Sequence, residues 1–451
     1  MPYKFDYQDI LEAEQCSDLL REPQYDLFFN NGQNERNENN TLRVLSLFSG
    51  CGGMDLGFEG GFLCHNLSVT NPEWIHHQID DCWSLLNRTV FRTVFACDIL
   101  EEARLTWLKY MSRFVINPDI FHLESIVDLV KLHNHGHKVF PTNIDVVTGG
   151  FPCQDFSVAG KRKGFESKVS HDGNKIQHEL PTEENRGKLY MWMKQVIDIV
   201  QPKMFIAENV KGLVSLGDVK TIIQNDFSSA NGNDYIVLSP QVLHAGNYGV
   251  PETRERVIFI GIKRSALTPE ALQALTRSEI PKDYDPYPAP THNYNVKDNK
   301  LANPVTCYDV LKDLPEPDLS KDLSQKYFSG AQYLGNGSQG QTEINLNGLG
   351  PTIRSEHHGN IEFRRLSLEH GGKHKEELSK GLQERRLTPR ECALIQTFPP
   401  DYPFVFYKKN AKRFAVSPSG AYKVIGNAVP PMLAYNIARR IQDVWPLYFN
   451  K

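Results

Sequence analysis

The sequence predicts an α/β protein in which a doubly wound parallel sheet is joined to a smaller, loop-rich domain. Short apolar runs rich in β-branched residues recur along the first 260 residues, and several end abruptly in glycine or polar residues. Segments with helical spacing of apolar residues alternate with these runs, as in βαβ units. Strong periodicity then disappears from Ser265 to about Gly381 and returns near the C-terminus.

The composition is that of a globular chain. Its 451 residues are 40% hydrophobic and 23% charged, and the formal net charge is -4, so any polyanion binding must come from local clusters. Eight scattered cysteines without a C-x-x-C pair predict reduced thiols. No apolar run approaches the roughly 18 residues that cross a bilayer, so we expect a cytoplasmic protein without membrane contact. The histidines at 133–137 and 357–358 lack partner acids and are not expected to bind metal.

The expected domain boundaries follow the changes in apolar periodicity and composition along the chain. Residues 1–40 carry nine acidic and three basic side chains and end in a polar, asparagine-rich run, which predicts an N-terminal extension. The main domain is predicted at 41–264 and the loop-rich domain at 265–384. Residues 385–451 are expected to return to the main domain.

The stretch from Ile144 to Gly160 carries the most reactive side chain of the pattern. The run Ile144–Val147 leads through Thr-Gly-Gly-Phe-Pro to Cys153, which predicts a buried strand that delivers a thiol to the carboxyl edge of the sheet. A free cysteine is most often a small buried hydrophobe. A position between proline and glutamine, off any periodic face, favours a nucleophile instead, although this stretch alone leaves both interpretations open.

Two earlier strands also end in residues suited to a ligand. Val44–Phe48 leads into a glycine turn and a helix start, which lets a ligand approach the backbone or simply serves tight packing. Thr93–Cys97 leads to Asp98, a position for an acid on ribose hydroxyls or for the cap of a helix beginning at Ile99. The stretch from the glycine turn to Asp98 is longer than usual, and an insertion around 71–87 explains its length. Glu124 is a weaker candidate for the ligand-binding end of a third strand.

Two later strands end in a similar way. The strand that starts at Met204–Ala207 is predicted to end in Glu208, Asn209 and Val210. The run Tyr235–Leu243 precedes Arg254 and Arg256, which lie on the entry to a strand at Val257–Ile262. The two arginines are expected to share one face, where they suit phosphate or carbonyl oxygens or pair with a structural acid. The polar segment 154–186 is long enough for a mobile loop.

Near the C-terminus, Thr388-Pro389-Arg390-Glu391 is a capping box that opens a buried helix. The chain closes with a Gly-Asn-Ala-Val segment around Asn427 and an amphipathic helix through Ile441. This order of a glycine turn, Pro-Cys-Gln, Glu-Asn-Val, Arg-x-Arg and Gly-Asn-x-Val resembles the DNA (cytosine-5) methyltransferases of bacterial restriction-modification systems. The resemblance covers about 43–261 and 385–440.

The resemblance implies a Rossmann-like domain that binds S-adenosylmethionine and a separate target-recognition domain. It places the cofactor at Phe48, Gly50, Gly53, Asp98, Glu124 and Asn427. It gives the nucleophile as Cys153, the acid that holds cytosine as Glu208, the arginine at the carbonyl oxygen as Arg256, and its phosphate-side neighbour as Arg254. DNA contacts are implied for Gln154, Ser157, Lys161, Arg162, Lys163, Arg186 and Thr352, although a basic cluster such as 161–163 is often only a solvated loop.

The chain departs from the family pattern at a few positions. Glu252 stands where a glutamine is usual, Ala428 replaces a common serine, and the loop 167–185 is enlarged. None of these changes removes a reactive group.

The resemblance further implies a monomer that methylates a flipped cytosine in double-stranded DNA and that protects a site from a cognate restriction endonuclease. A transfer RNA methyltransferase of the same fold and a non-catalytic DNA-binding relative are the alternatives. The first is expected to have a much smaller recognition region, and the intact Cys153, Glu208 and Arg256 argue against the second.

Overall fold

The computed structural model describes residues 41–114, 118–152, 189–215, 218–296, 298–335, 337–355 and 359–450. Its strands are β1 Leu42–Leu47, β2 Leu63–His65, β3 Ile75–Gln78, β4 Trp83–Leu86, β5 Phe91–Cys97, β6 Phe121–His122, β7 Val146–Gly150, β8 Met204–Val210, β9 Tyr235–Val237, β10 Gln241–His244, β11 Glu255–Lys263, β12 Phe363–Arg365, β13 Arg385–Arg386, β14 Phe406–Tyr407 and β15 Phe414–Val416.

The α-helices alternate with these strands in the first half of the chain and dominate its end. They are α1 Gly53–Glu59, α2 Glu101–Met111, α3 Ile126–Asn134, α4 Leu189–Val200, α5 Val219–Ser228, α6 Ala230–Asn233, α7 Pro269–Leu275, α8 Cys307–Leu311, α9 Leu323–Lys326, α10 Lys375–Ser379, α11 Pro389–Ile395, α12 Pro418–Asn427 and α13 Pro431–Tyr448. Within the described residues, no helix is both long and apolar enough to span a membrane.

One large sheet organises the fold, with the strand order β10-β11-β8-β7-β1-β5-β6 and with β9 paired to β11. The five adjacent strands β6, β5, β1, β7 and β8 are parallel to one another. Strand β11 is antiparallel to its neighbours β8, β9 and β10. The chain proceeds from β1 outward through β5 and β6 and then returns to β7 on the other side of β1. Loops that follow these parallel strands therefore meet where the winding reverses, which is where open α/β sheets bind ligands.

Helices cover both faces of the sheet, as the prediction of a doubly wound fold requires. Val44, Val146 and Ile206 belong to an apolar cluster with residues of α1, α2 and α13. Their neighbours Leu45 and Val147 point to the opposite face and pack with residues of α3, α4 and α5. Because both faces are covered, each central strand is apolar on both sides, and the predicted α/β class is confirmed.

Several predicted boundaries shift in the structure. The predicted strand at Ile144–Val147 begins instead at Val146 and continues through both glycines, because they pair with β8. The strand predicted to end in Glu208, Asn209 and Val210 is confirmed as β8, which runs to Val210 because β11 extends the ladder along it. Glu208 therefore lies near the carboxyl end of this strand.

Two other expectations are corrected in the same way. The single extended run Tyr235–Leu243 is two strands separated around Pro240, which has no N–H to give to a ladder. The helix expected to begin at Ile99 begins at Glu101. The predicted insertion is present as a small three-stranded sheet in the order β2-β4-β3.

The C-terminal segment completes the main body. Thr388 and Glu391 form the predicted capping box, and α13 packs against α1 and extends to Tyr448, beyond the predicted end at Ile441. Gly57 permits this contact, because a Cβ atom there would lie 2.4 Å from the Cβ of Ala434.

The predicted domain boundary at residue 265 is less distinct in the structure than the loss of apolar periodicity suggests. The hydroxyl of Tyr287 donates to the Ile258 carbonyl on β11 at 3.0 Å, and Ala271 and Leu275 join the apolar cluster that includes α13. The first part of the 265–384 region thus packs against the main body, and a separate recognition domain stays a prediction.

Candidate active site

The glycine turn after β1 is shaped by close packing. Phe48 and Gly50 have φ angles of 53° and 55°, so the chain reverses sharply before α1 begins at Gly53. A Cβ atom at Gly53 would lie 2.2 Å from the Val429 carbonyl oxygen. The packing interpretation of the turn is confirmed at Gly53, and Phe48 and Gly50 line a cavity, so that a ligand contact there stays a prediction.

Asp98 joins the ends of β1 and β5. Its Oδ2 accepts a hydrogen bond from the Gly50 N–H at 3.0 Å, and its Oδ1 accepts one from the Leu100 N–H at 2.9 Å. Burial raises the pKa of this carboxyl, and the backbone N–H donors partly offset the increase. Asp98 therefore fixes the glycine turn and also contributes to the cavity wall.

Glu124 follows the short strand β6 and also lines the cavity. Its Oε2 is buried and has no hydrogen-bond partner among the described residues; His122 Nδ1 lies 3.8 Å away. Burial raises the pKa of Glu124. A buried carboxyl oxygen without a hydrogen-bond donor at a cavity wall suits a ligand that donates an N–H or O–H group.

Glu208 and Arg256 form the most enclosed charged pair of the cavity. Glu208 Oε1 lies 2.6 Å from Arg256 Nε, and the two side chains are 8% and 9% exposed. Gly150 leaves room for the carboxyl group, because a Cβ atom there would lie 2.8 Å from Glu208 Oε2. Burial raises the pKa of Glu208, whereas the positive charges of Arg256 and Arg254 act in the opposite direction.

Asn209 holds the loop that leads to the predicted nucleophile. Its Nδ2 donates to the Phe151 carbonyl at 3.0 Å, and its Oδ1 accepts from the Val210 N–H at 2.8 Å. Phe151 and Pro152 are the last described residues before the predicted nucleophile and line the same cavity. The amide of Asn209 thus fixes the Phe151 carbonyl, two residues before Cys153.

Arg254 occupies a different environment from Arg256. Its side chain is 0% exposed, and its guanidinium donates to the carbonyls of Ile353, Gly426 and Ala428 at 2.9, 2.8 and 2.7 Å. A group enclosed by backbone carbonyls is not placed to contact a phosphate. Arg254 therefore has a structural role, which corrects the phosphate contact that the resemblance implied for it.

Thr352 is partly buried and joins the same region. Its hydroxyl donates to the Thr253 carbonyl at 2.6 Å, and the Thr253 N–H donates to the Gly350 carbonyl at 2.8 Å. These bonds tie the 350–353 segment to the residues just before β11. Thr352 thus connects the 350–353 segment to the residues before β11. DNA contact by this residue stays a prediction.

One cavity of about 470 Å³ brings together eight of the predicted site residues, whereas Arg254 and Thr352 do not line it. It is lined by all six predicted cofactor residues and by the Glu208–Arg256 pair, namely Phe48, Gly50, Gly53, Asp98, Glu124, Asn427, Glu208 and Arg256. Its size is that of a site for a small molecule.

Sequence reasoning missed several residues of the cavity wall, among them Leu100 and Lys423. Leu100 lies one residue before α2, and Lys423 lies on α12, so their places depend on how these helices dock. The signal for Lys423 was its spacing one helical turn before Asn427.

Several predicted residues lie outside the described part of the chain. They are Cys153, Gln154, Ser157, Lys161, Arg162, Lys163 and Arg186. Their roles stay predictions. Across the described ranges, no cluster of histidine, cysteine or acidic side chains could hold a metal ion.

Comparison with known proteins agrees with this geometry. Residues 42–443 match the model of the C-5 cytosine-specific DNA methylase family. The Type II methyltransferase M.BsuRI of Bacillus subtilis is 30% identical over 414 residues, covering 90% of this chain and 80% of that protein. M.BspRI of Lysinibacillus sphaericus, also a Type II methyltransferase, is 31% identical over 410 residues, covering 89% of this chain and 81% of its own.

The fold is also that of a solved methyltransferase. The crystal structure of the S. pombe Dnmt2 methyltransferase aligns with a TM-score of 0.50 at 17% identity, over 89% of this chain and 98% of that one. The family match extends over most of the sequence and includes every segment that contributes to the cavity. The chain therefore belongs to the C-5 cytosine-specific DNA methylase family.

Proposed function

We propose that this protein transfers a methyl group from S-adenosylmethionine to carbon 5 of a cytosine in duplex DNA, through a covalent adduct with Cys153. One observation carries the proposal: the Glu208–Arg256 pair shares a cavity with the glycine turn, with Asp98 and with Pro152, which directly precedes the nucleophile. This arrangement supports a cofactor site beside a site for a polar ring.

The cavity suits S-adenosylmethionine in size and chemistry. Asp98 and Glu124 supply carboxyl acceptors for hydroxyl and amine hydrogens, and Glu124 Oε2 has a vacant bonding position within the described structure. Phe48 and Leu100 supply apolar surface, while the glycine turn keeps the backbone close to the cavity. When bound, S-adenosylmethionine supplies an electrophilic methyl group on a sulfonium.

The chemistry explains why a thiol and an acid must act together. Carbon 5 of cytosine is a poor nucleophile until a thiolate adds to carbon 6. In our proposal the Cys153 sulfur forms that bond, and the ring π electrons move toward carbon 5 and ring nitrogen 3. Carbon 5 then takes the methyl group as the bond from the methyl carbon to the sulfonium sulfur breaks, which leaves S-adenosylhomocysteine. Carbon 5 loses its proton to water, the proton on ring nitrogen 3 returns to Glu208, and the bond from the Cys153 sulfur to carbon 6 breaks, which restores the aromatic ring and the thiolate.

Glu208 and Arg256 are proposed to stabilise the charge that develops in the ring. In its protonated form the Glu208 carboxyl can donate to ring nitrogen 3; burial raises the pKa of this group, and the charges of Arg256 and Arg254 act in the opposite direction. Arg256 is the proposed donor to the carbonyl oxygen of the ring. Fixed donors aimed at developing charge in an enclosed site commonly contribute more than other catalytic effects.

Recognition of DNA requires contacts beyond the cavity. A base inside a duplex must be extruded before a thiol can reach carbon 6. We propose that Gln154, Ser157, Lys161, Arg162, Lys163 and Arg186 contact DNA from the loop that follows Cys153. Protection against a cognate restriction endonuclease, a monomeric state and a cytoplasmic location remain part of this proposal.

The decisive experiment measures transfer of a labelled methyl group from S-adenosylmethionine into mixed-sequence duplex DNA and, separately, into total transfer RNA. Label is expected in DNA as 5-methylcytosine, and sequencing of the product then gives the recognition site. Label only in RNA would replace DNA as the substrate, and no label in either would contradict the proposed activity.

The same assay tests the nucleophile. Cys153→Ser should abolish transfer, because a serine hydroxyl is a far weaker nucleophile than a thiolate. Cys82→Ser is the matched control, since Cys82 is partly exposed and does not line the cavity. Loss of activity in both variants, or in neither, would count against the assignment of Cys153.

A further inference from the structure

We propose that the hairpin formed by β14 and β15 is an additional contact surface for duplex DNA, which binds backbone phosphates without reading the base sequence. This inference rests on the proposed function, because it concerns how the same substrate is held. Residues 406–416 are called the basic hairpin here, and residues 408–413 are its tip.

The basic hairpin lies in a stretch of the chain that has no acidic residue. Residues 402–442 contain seven lysines and arginines and neither aspartate nor glutamate, whereas the whole chain has 54 acidic and 50 basic side chains. Four of the seven occupy the tip, as Lys408, Lys409, Lys412 and Arg413. A chain with a formal net charge of -4 thus concentrates positive charge in one place, which is the local feature that polyanion binding requires.

The fold places these charges side by side at the surface. The Lys408 N–H donates to the Arg413 carbonyl at 2.9 Å, and the Ala411 N–H donates to the Lys408 carbonyl at 3.2 Å. Asn410 completes the reversal of the chain with a φ angle of 59°. Lys408 and Arg413 therefore lie opposite each other at the end of the hairpin, and all four basic residues of the tip are exposed.

No compensating acid accompanies these charges in the part of the chain that the structure describes. Lys408, Lys412 and Arg413 make no ion pair with any described carboxylate. The nearest acid in sequence, Asp401, is held by Arg113 at 2.7 Å. Like charges opposite each other in a hairpin are destabilising. An arrangement that costs stability without a partner inside the fold indicates a partner outside it, and DNA phosphates have the complementary charge.

Contacts on both strands hold the base of the hairpin, so the tip is presented in a defined orientation. The rings of Tyr407 and Phe414 stack with their centroids 4.7 Å apart, and the Tyr407 hydroxyl donates to the Tyr327 hydroxyl at 2.8 Å. Just before β14, the Phe404 N–H donates to Ser324 Oγ at 3.1 Å. Charges on a preorganised hairpin lose less conformational entropy on binding than charges on a flexible loop.

The basic hairpin is connected directly to the wall of the cavity. Strand β15 leads into α12 at Ser417, whose hydroxyl caps that helix by accepting the Gly420 N–H at 3.2 Å. Helix α12 carries Lys423 and Asn427, which both line the cavity. The tip residues, which are all described, do not line it. A phosphate contact at the tip is therefore separate from the site of the chemistry.

The test measures how the affinity for DNA depends on salt. Each phosphate contact made by a lysine or arginine steepens the plot of log affinity against log salt concentration by about 0.9. The triple variant Lys408→Gln, Lys412→Gln, Arg413→Gln should therefore reduce the slope by about 2 to 3. Affinity is read from the fluorescence anisotropy of a labelled duplex, once with the site found by sequencing and once without it. Both duplexes should lose affinity by the same factor, since phosphates carry no sequence information.

A matched control removes the same number of charges elsewhere. Lys138, Lys220 and Arg264 are at least partly exposed and lie outside both the hairpin and the predicted recognition domain at 265–384. Their replacement by glutamine should leave the slope unchanged. An equal loss of slope in both triple variants would attribute the effect to net charge and overturn the inference. A loss confined to the duplex that contains the site would also overturn it, because the tip would then read bases.

Stability measurements separate a lost contact from a damaged fold. The hairpin variant should melt at no lower temperature than the unaltered protein, because it removes repulsion between exposed charges. If the triple variant fails to fold, Lys412→Gln alone should still reduce the slope by about 1. An unaltered slope in a folded variant would overturn the inference, whereas the proposed function would stand if the unaltered protein methylates DNA. Failure of the unaltered protein to bind any duplex would instead contradict the proposed function.

Discussion

Arg256 Nε lies 2.6 Å from Glu208 Oε1, and the two residues come from antiparallel neighbours of the sheet, β11 and β8. Both side chains are nearly buried, so their charges act in a medium of low polarity where electrostatic effects are strong. The pair is therefore positioned by the central sheet itself rather than by flexible loops.

Replacement of Glu208 by glutamine should lower the rate of methyl transfer by about 100-fold or more, the usual effect of removing a group that stabilises developing charge. The amide keeps the shape but cannot act as an acid. Single-turnover transfer from labelled S-adenosylmethionine measures the change. Glu255→Gln, at a surface pair with Lys211, is the control and should retain the unaltered rate. Comparable rates in both variants would exclude this role of Glu208.

Replacement of Asp98 by asparagine should raise the KM for S-adenosylmethionine by about tenfold, since a hydrogen bond to a charged group contributes on the order of 1.5 kcal/mol. The amide keeps an acceptor but loses the charge, which the Gly50 N–H and, in our proposal, the ligand share. Initial rates at varied cofactor concentration give KM and kcat separately. A lower kcat with an unchanged KM would contradict a binding role.

Replacement of Asp55 by asparagine should make stability less sensitive to pH. Asp55 is buried and accepts from Ser46 Oγ at 2.5 Å and from Trp107 Nε1 at 2.6 Å, and burial raises its pKa from 3.8 to about 6. A raised pKa favours the protonated folded state, so this contribution to stability is complete below about pH 3.8 and is lost as the pH rises through about 6.

The loss corresponds to about 3 kcal/mol for a shift of roughly two pKa units. Urea unfolding of both proteins between pH 4.5 and 7.5 measures it, and asparagine should gain stability relative to aspartate across this range. A difference between the two proteins that does not change with pH would show that Asp55 does not titrate as described.

Replacement of Gly57 by alanine should destabilise the fold by about 1 to 3 kcal/mol, the usual cost of overpacking. The added methyl group would lie 2.4 Å from the Ala434 Cβ and 2.7 Å from the Pro431 carbonyl oxygen, which forces α1 and α13 apart. Thermal unfolding measures the effect. Gly330→Ala, where no atom lies within 4 Å of the new Cβ, should leave the melting temperature unchanged.

The sequence alone determined the class of fold and named the residues that carry the proposed chemistry. These features are local, because apolar runs, glycine turns and the Thr388–Glu391 capping box depend on side chains close together in the chain. The predicted cofactor residues also meet in one cavity, since each follows a parallel strand or closes the returning C-terminal segment.

Only the tertiary structure decided which of two similar residues meets which partner. Arg254 and Arg256 differ little in sequence context, yet Arg256 pairs with Glu208 while Arg254 bonds carbonyls about 100 and 170 residues away in the chain. The position of Lys423 in the cavity wall likewise depends on how α12 docks. Such contacts join segments distant in sequence, and no local pattern encodes the packing that brings them together.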